Sequence, residues 1–269
     1  MTEPMGFYTD TTVCIGCKAC EVACKEWNQL PTAEGGRPEM SGDSYDNTRR
    51  LDGTHWRHVK FIEQFDETRN GGRWLMMSDV CKHCVQAPCL EVCPTGAIIR
   101  TEFDSVVIQS AACNGCRLCI AACPFGVIDI NAVSNTAQKC TLCYDRLQAG
   151  MEPACSQACP TDSIRFGPIR ELKQQAEARV RQLHELGETR AHLYGADEKF
   201  LGGLNSFYLL VDQPEVYGLP SAPKMPTRNL LPSSLFSTAG AAVLALLGFV
   251  GLRKRRMDEH VAEPEATDV

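Results

Sequence analysis

The 269-residue chain lacks most of the signatures by which an enzyme shows its substrate. There is no phosphate-cradling Gly-rich loop and no G-x-G-x-x-G fingerprint, so nucleotide hydrolysis and nicotinamide chemistry have no site. No acid–base pair or activated nucleophile stands out. No C-x-x-C-H occurs, which removes covalent haem; Cys81-Lys-His-Cys84 keeps its histidine inside the loop. Basic residues are outnumbered, 27 Lys and Arg against 33 Asp and Glu, and the net charge of −6 argues against nucleic acid as a partner. The start, Met1-Thr-Glu-Pro-Met-Gly6, has neither the basic nor the apolar region of a cleavable secretion signal.

Cysteine is what the chain has in excess. The sixteen cysteines fall into four sets of four. These are Cys14, Cys17, Cys20 and Cys24; Cys81, Cys84, Cys89 and Cys93; Cys113, Cys116, Cys119 and Cys123; and Cys140, Cys143, Cys155 and Cys159. Loop-stapling disulfides have no reason to produce this grouping. The third set and Pro124 read C-x2-C-x2-C-x3-C-P, the spacing by which bacterial ferredoxins hold cubane iron–sulfur clusters. Its first three thiolates sit on a tight loop and reach three irons of one cube. The fourth starts the next helical turn, points away and ligates a different cluster, so a complementary set must lie nearby. The first set repeats the spacing without the proline; the second and fourth widen the middle gap to four and eleven residues.

Paired C-x2-C knuckles also make four-cysteine zinc sites, but zinc ribbons use two well-separated pairs. Three cysteines in one loop followed by x3-C-P favour iron, which takes soft, deprotonated sulfur at every corner. Sixteen thiolates suffice for four 4Fe–4S clusters with none left over. A zinc-binding assembly scaffold is the alternative from a different class, and a metal count separates the two.

The expected fold is α+β: two ferredoxin-like 4Fe–4S cores back to back, an extended Pro-rich arm and one C-terminal transmembrane helix. Three exits share a phrase: Cys93-Pro-Thr-Gly-Ala-Ile98, Cys123-Pro-Phe-Gly-Val-Ile128 and Cys159-Pro-Thr-Asp-Ser-Ile164. Proline stops the helix, Gly or Asp allows a turn, and a β-branched residue starts a strand. The four-cluster domain is expected over 1–168, with an insertion at about 25–80 that opens on a polar loop around Gly35-Gly36. Phe7, Tyr8 and Val13 suggest a strand into the first loop. Residues 55–61 and 73–77 suggest a hairpin across Asn70-Gly71-Gly72.

Residues 169–231 are expected as a separate helix and arm. Ile169, Leu172, Ala176, Val180, Leu183 and Leu186 line one helix face, with Gly187 as the stop. Pro214, Pro220, Pro223, Pro226 and Pro232 then predict an extended, semi-rigid segment. Residues 232–252 read as the spanning helix, since about 20 apolar residues at 1.5 Å each cross a bilayer core. A charged tail, 253–269, follows, acidic and disordered from Met257. Lys82 and His83 read as solvated side chains of the second loop, with hydrogen bonding to a cluster as the alternative. His55, His58, His184, His192 and His260 show no partner pattern. Trp27, Trp56 and Trp74 read as packing residues.

The four motifs in this order, with the widened second and fourth, resemble the iron–sulfur electron-transfer subunits of molybdopterin oxidoreductases. Within that family the chain resembles the iron–sulfur subunits of membrane-bound respiratory formate dehydrogenases, over nearly its whole length. The phrases that carry this are Cys14-Ile-Gly-Cys-Lys-Ala-Cys-Glu-Val-Ala-Cys-Lys-Glu-Trp-Asn28, Gln138-Lys-Cys-Thr-Leu-Cys143, Glu152-Pro-Ala-Cys155, and Asp212-Gln-Pro-Glu-Val-Tyr-Gly-Leu-Pro220. The resemblance implies a non-catalytic role: electrons pass from a molybdopterin catalytic subunit that oxidises formate to a membrane cytochrome b subunit and quinone. A subunit of another molybdopterin or hydrogenase complex is the runner-up.

Spacing alone lets the third set pair with either neighbour; the resemblance implies the ligand sets. Cys14, Cys17, Cys20 and Cys159 would bind one cluster, and Cys24, Cys140, Cys143 and Cys155 a second. Cys81, Cys84, Cys89 and Cys123 would bind a third, and Cys93, Cys113, Cys116 and Cys119 the fourth.

The basic run Arg253-Lys-Arg-Arg256 outweighs Lys224 and Arg228 on the other side of the apolar run. The positive-inside rule therefore predicts a single pass through the inner membrane, with the C-terminus cytoplasmic and the cluster domain periplasmic. Without a signal of its own, that domain would be exported with a partner that carries a twin-arginine signal, as the family resemblance implies.

Overall fold

The computed structural model describes residues 3–31, 45–46, 48–65 and 72–261. The Gly35-Gly36 loop, Asn70-Gly71 of the hairpin turn and the tail from residue 262 lie outside the described residues. The chain forms two units, 1–225 and 226–269.

In the first unit, β1 (Met5–Asp10) is paired antiparallel to β8 (Ile164–Pro168) and parallel to β10 (Ser206–Leu210), which pairs with β9 (His192–Tyr194). The sheet order is β8-β1-β10-β9. All five residues of β10, Ser-Phe-Tyr-Leu-Leu, are buried, as an apolar run covered on both faces should be. β1 enters the first cysteine loop and β8 leaves the last one. Their register, Thr9 opposite Ile164, therefore brings the two ends of the cysteine region together. Asp10 N donates to Ser163 O at 2.8 Å, and Ser163 Oγ donates to Asp10 O at 2.7 Å, which locks the junction.

Short hairpins link the other sets. β4 (Ile98–Arg100) and β5 (Val106–Ile108) join the second exit to the third loop, and β6 (Asp129–Asn131) and β7 (Thr136–Gln138) join the third exit to the fourth loop. The helices are α1 (Ala19–Trp27), α2 (Pro88–Glu91), α3 (Leu118–Ala122), α4 (Tyr144–Gln148) and α5 (Ala154–Gln157). α1 packs on α5, and α2 packs on α3. The exit turn behaves as its sequence requires. Gly96, Gly126 and Asp162, at the same place in the three phrases, have φ of +67°, +61° and +51°.

The hairpin of β2 (Arg57–Phe65) and β3 (Gly72–Val80) pairs Val59 with Ser78 and His58 with Asp79. It lies flat on the first cysteine loop. A Cβ at Gly16 would stand 2.7 Å from Met76 Sδ and from Phe61 Cε1. Glu21 of α1 accepts from Val59 N at 2.5 Å, fixing the helix to the hairpin.

The segment 169–225, expected as a separate helix and arm, belongs to the same unit as the cysteine sets. α6 (Ile169–Glu185) buries Leu172, Ala176 and Leu183 and packs on β1. Full burial of one such leucine contributes about 1.5–3 kcal/mol. Gly187, at φ +94°, ends the helix as expected, but Leu186 is exposed because it lies past the last turn. The stretch 214–225 is pinned to the first unit instead of standing out as an extended, semi-rigid arm. Tyr217, Leu219 and Met225 are buried, Lys60 Nζ donates to Tyr217 O at 2.9 Å, and Tyr194 OH donates to Pro220 O at 2.6 Å. Apolar anchors placed between the prolines account for the difference.

The second unit is dominated by α7 (Leu230–Val261). Pro232 falls in its first turn, where no amide proton is needed. Residues Ser233–Met257 are long and apolar enough to cross a membrane, with a mean hydropathy of 2.1 and none of the span buried. Ser237 and Thr238 return their hydroxyls to the carbonyls of Ser233 and Ser234 at 2.8 and 2.9 Å, so these polar groups are satisfied within the helix. The helix continues through the basic run expected to begin the tail, since no Gly or Pro lies between Leu252 and Pro264.

A chain ending at Met225 should stay soluble without detergent and retain its iron, measured as iron per chain. Iron lost on truncation would make the second unit part of the fold that holds the cysteines.

Candidate metal centres

Each cysteine loop begins with a backbone constraint. The residue two after the first cysteine is left-handed in all four: Gly16 (φ +66°), His83 (+44°), Gly115 (+70°) and Leu142 (+62°). This tight turn carries the next cysteine back beside the first. In the first loop, Asp10 supports the turn from below. Thr12 N donates to Asp10 Oδ1 at 2.9 Å, and Arg179 Nε of α6 donates to Asp10 Oδ2 at 3.0 Å.

All sixteen cysteines are described, and none is in a disulfide. A cavity is lined by Cys14, Cys17, Cys20 and Cys159, with Val59 and Ser78 from the hairpin. Cys24 lies within electrostatic reach of Cys140, Cys155 and Cys143. Cys84 lies within such reach of Cys81, Cys123 and Cys89, and Cys119 of Cys113, Cys116 and Cys93. These are termed the Cys17, Cys155, Cys84 and Cys116 groups. In each, the fourth cysteine of one sequence set stands among three from another. Among the described residues, no three His, Cys, Asp or Glu side chains close around a single metal ion. A cubane instead spreads its ligands over four corners.

Neighbouring groups lie within electrostatic reach of one another. Cys20 acts on Cys155, Cys140 on Cys81, and Cys89 on Cys119. Cys17 and Cys116 are the exposed cysteines; most of the cysteines in the Cys155 and Cys84 groups are buried. Burial pushes the thiols of Cys20, Cys89 and Cys140 up to about 12, and those of Cys119 and Cys143 up to about 11. Cys93 goes the other way. The little burial it has opposes ionisation, but Thr95 and the amides of Ile98, Thr95 and Ala97 outweigh it. The protein alone therefore makes most of these sulfurs poor anions. A bound metal–sulfur group supplies the positive charge that makes them thiolates, so the donor set fits 4Fe–4S clusters.

Two residues missed in the sequence lie between the groups. Arg57 is 2% exposed, and its charge acts on Cys155, Cys20 and Cys140. Lys139 is buried with Nζ donating to the carbonyls of Val106 and Cys140, and it acts on Cys81, Cys89 and Cys140. An arginine sharing a strand face with Val59 was the available signal for Arg57.

Lys82 and His83 are not solvated as expected: each is 1% exposed. Lys82 Nζ donates to Asp79, to Val80 O at 2.6 Å and to Tyr208 OH at 3.0 Å. A carboxylate, a ladder carbonyl and a core tyrosine thus replace water. His83 Nδ1 accepts from Val106 N at 3.1 Å, so the proton sits on Nε2. Burial, then Lys139, Arg100, Arg57 and Lys82, hold its pKa well below the usual value, and the ring is neutral. His55 and His58 do have partners: Asp52 at 3.1 Å for His55, and Asp46 at 3.5 Å and Asp79 at 3.9 Å for His58. His184 Nε2 and His192 Nδ1 lie 2.8 and 2.9 Å from the carbonyls of Ala191 and Arg190. Trp27 packs under Arg146 at 4.2 Å and donates to Asp145, while Trp74 packs on Tyr45 and Phe61.

A family described as a 4Fe-4S dicluster domain matches residues 72–169, and a second with the same description matches residues 13–97. The chain is 41% identical over 250 residues to the iron–sulfur subunit of the nitrate-inducible formate dehydrogenase of Escherichia coli (strain K12), spanning 90% of this chain and 81% of the relative. The formate dehydrogenase-O iron–sulfur subunit of the same strain is 38% identical over 269 residues, 96% of this chain and 86% of the relative. The formate dehydrogenase iron–sulfur subunit of Haemophilus influenzae is 42% identical over 223 residues, 80% and 68% respectively.

The Asp79 carboxylate lies under the cysteine loops, with Lys60 Nζ at 3.1 Å and Lys82 as a second partner. Burial opposes its ionisation, but Lys82 and Lys60 hold it well below the usual carboxylate range. Asp79→Asn leaves Lys82 charged and buried without its counter-ion, and should destabilise the protein by about 3–5 kcal/mol in denaturant unfolding. Adding Lys82→Met should recover most of the loss; no recovery would show that the pair is not the unit that matters.

Proposed function

Because the chain belongs to the family of formate dehydrogenase iron–sulfur subunits, we propose that it takes electrons from a molybdenum- or tungsten-pterin subunit that oxidises formate and delivers them to a membrane cytochrome b subunit and quinone. The observation that carries this reading is that the four cysteine groups come within electrostatic reach of one another pair by pair, while Cys17 and Cys116 are exposed. The ligand sets are Cys14, Cys17, Cys20 and Cys159; Cys24, Cys140, Cys143 and Cys155; Cys81, Cys84, Cys89 and Cys123; and Cys93, Cys113, Cys116 and Cys119. Clusters bound there supply one-electron chemistry, with potentials set by charge, hydrogen bonds and exposure. The buried inner ligands keep water away, and Cys17 and Cys116 mark the surfaces where donor and acceptor subunits dock.

The packing of α1 on α5 and of α2 on α3 supports two ferredoxin-like cores back to back within 1–168, one built on the first and fourth sets and the other on the second and third. The apolar span of α7 supports a single-pass anchor in the inner membrane. Ser237, Ala241 and Ala245, at small-xxx-small spacing, suit close packing on a helix of the cytochrome subunit. The basic run Arg253–Arg256 supports a cytoplasmic C-terminus and a periplasmic cluster domain, co-exported with the catalytic subunit.

Cys116→Ala in the purified complex should lower iron by one cluster's share and abolish quinone-linked activity, while formate-driven dye reduction at the catalytic subunit survives. Unchanged iron and quinone activity would refute the ligand assignment.

Protease added to intact spheroplasts should digest residues 1–225 and spare an epitope placed after Arg256. The reverse pattern would place the clusters in the cytoplasm and remove the need for co-export.

A further inference from the structure

The strongest unassigned feature is a buried positive charge without a protein counter-charge. Arg57 projects from β2 on the same face as Val59, and Ser78 lies opposite Val59 on β3. That face of the hairpin lines the Cys17 group. His58, Lys60 and Asp79 occupy the other face, where Lys60 Nζ pairs with the Asp79 carboxylate at 3.1 Å. Arg57 is left out of that network. Among the described residues no carboxylate pairs with it.

Its Nη1 donates to Ser78 Oγ at 3.0 Å, and Ser78 Oγ lies 3.3 Å from Cys20 Sγ. The guanidinium sits 4.7 Å from the centre of the Phe7 ring, which closes the site from β1. Among the described residues Nε and Nη2, both buried, have no hydrogen-bond partner, although the side chain comes within hydrogen-bonding reach of Cys155. Lys139, the other buried cation near the sulfurs, differs in that two carbonyls receive its ammonium.

A guanidinium stays protonated in proteins, and a lone buried charge is strongly destabilising. What surrounds this one is sulfur. It acts on Cys24, Cys140, Cys143 and Cys155, the whole Cys155 group, and on Cys20 of the next group. We propose that Arg57 is the resident counter-charge at the seam between the Cys155 and Cys17 groups, raising the reduction potential at the first directly and at the second through the Ser78 hydroxyl. The inference rests on the ligand sets proposed above. A cubane held by four thiolates is anionic and gains one more negative charge on reduction. A fixed cation beside it therefore favours the reduced form, as does a hydrogen bond to a ligand sulfur.

The test is an EPR-monitored redox titration of the purified complex, with iron counted per chain, for wild type, Arg57→Gln, Arg57→Lys and Ser78→Ala. Arg57→Gln should shift one midpoint negative by at least a tenfold change in its reduction equilibrium, about 59 mV for one electron. A second midpoint should move less, and the other two should hold. Arg57→Lys should restore most of the shift, and Ser78→Ala should produce only the smaller one. If Arg57→Gln loses iron while Arg57→Lys keeps it with near-native midpoints, the charge requirement stands at the level of assembly. Four unchanged midpoints in an iron-replete Arg57→Gln protein would overturn the proposal. Equal shifts in the Gln and Lys variants would do the same, since they would point to packing. If both Arg57 variants lose iron, Ser78→Ala decides: a shift of one midpoint upholds the proposal, and none overturns it. The wild-type iron count tests the ligand sets separately, because the Arg57 effect is a difference read on whichever clusters are present.

Discussion

Burying anionic sulfur is the constraint on which the rest of this structure depends. Without a bound metal–sulfur group, most of these thiols are held protonated by their surroundings, with Cys20, Cys89 and Cys140 pushed up to about 12. Folding and metal loading are therefore coupled: the sequence gathers the donors, and the bound group supplies the charge that lets them act as ligands. Cations placed between groups act in the same direction. Arg57 stands between the Cys17 and Cys155 groups, and Lys139 between the Cys155 and Cys84 groups. His83 is kept neutral first by its burial and then by charges that include Lys139 and Arg57.

The loops show how a single backbone requirement is met by different side chains. The left-handed position costs glycine nothing, and Gly16 and Gly115 occupy it in the first and third loops. His83 and Leu142 adopt it in the second and fourth, at a cost of about 1–3 kcal/mol each. Both are buried, Leu142 fully, so packing offsets the strain. The two loops that use glycine are those whose central cysteine, Cys17 or Cys116, is exposed. At both turns a side chain would also be crowded out: a Cβ at Gly16 would meet Met76 and Phe61 at 2.7 Å, and one at Gly115 would meet Asn135 O at 2.6 Å.

Features with a local cause were legible in the sequence. Cysteine spacing, the exit turn at Gly96, Gly126 and Asp162, the β2–β3 hairpin, α6 and the apolar span each follow from a few neighbouring residues. The sheet was not legible. Its parallel pair joins Phe7 to Ser206 across nearly the whole first unit, and no local pattern records such a partner. For the same reason residues 169–225 read as an appendage when β8, α6, β9 and β10 complete the core. Lys82 and His83 were misread because their burial comes from distant groups: Tyr208 for one, Val106 N for the other. Arg57 lay in an insertion with no cysteine and nothing in the spacing to link it to one.

That insertion now has a physical role. In sequence it separates the first cysteine set from the second. In space, pairing of β1 with β8 returns the fourth set to the first, so the Cys17 and Cys155 groups meet on one side of the β2–β3 hairpin. Two anionic sites brought together repel each other, and that repulsion is weakest where a cation stands between them. A strand alternates its faces, so one hairpin can present Arg57 and Ser78 to the sulfurs while His58, Lys60 and Asp79 join the neighbouring network around Lys82 and Tyr208. A loop of equal length could cover the seam, but it could not hold these two sets of charge apart. The paired strands follow from that requirement, and they explain why so much chain is spent between two cysteine sets that carry the same motif.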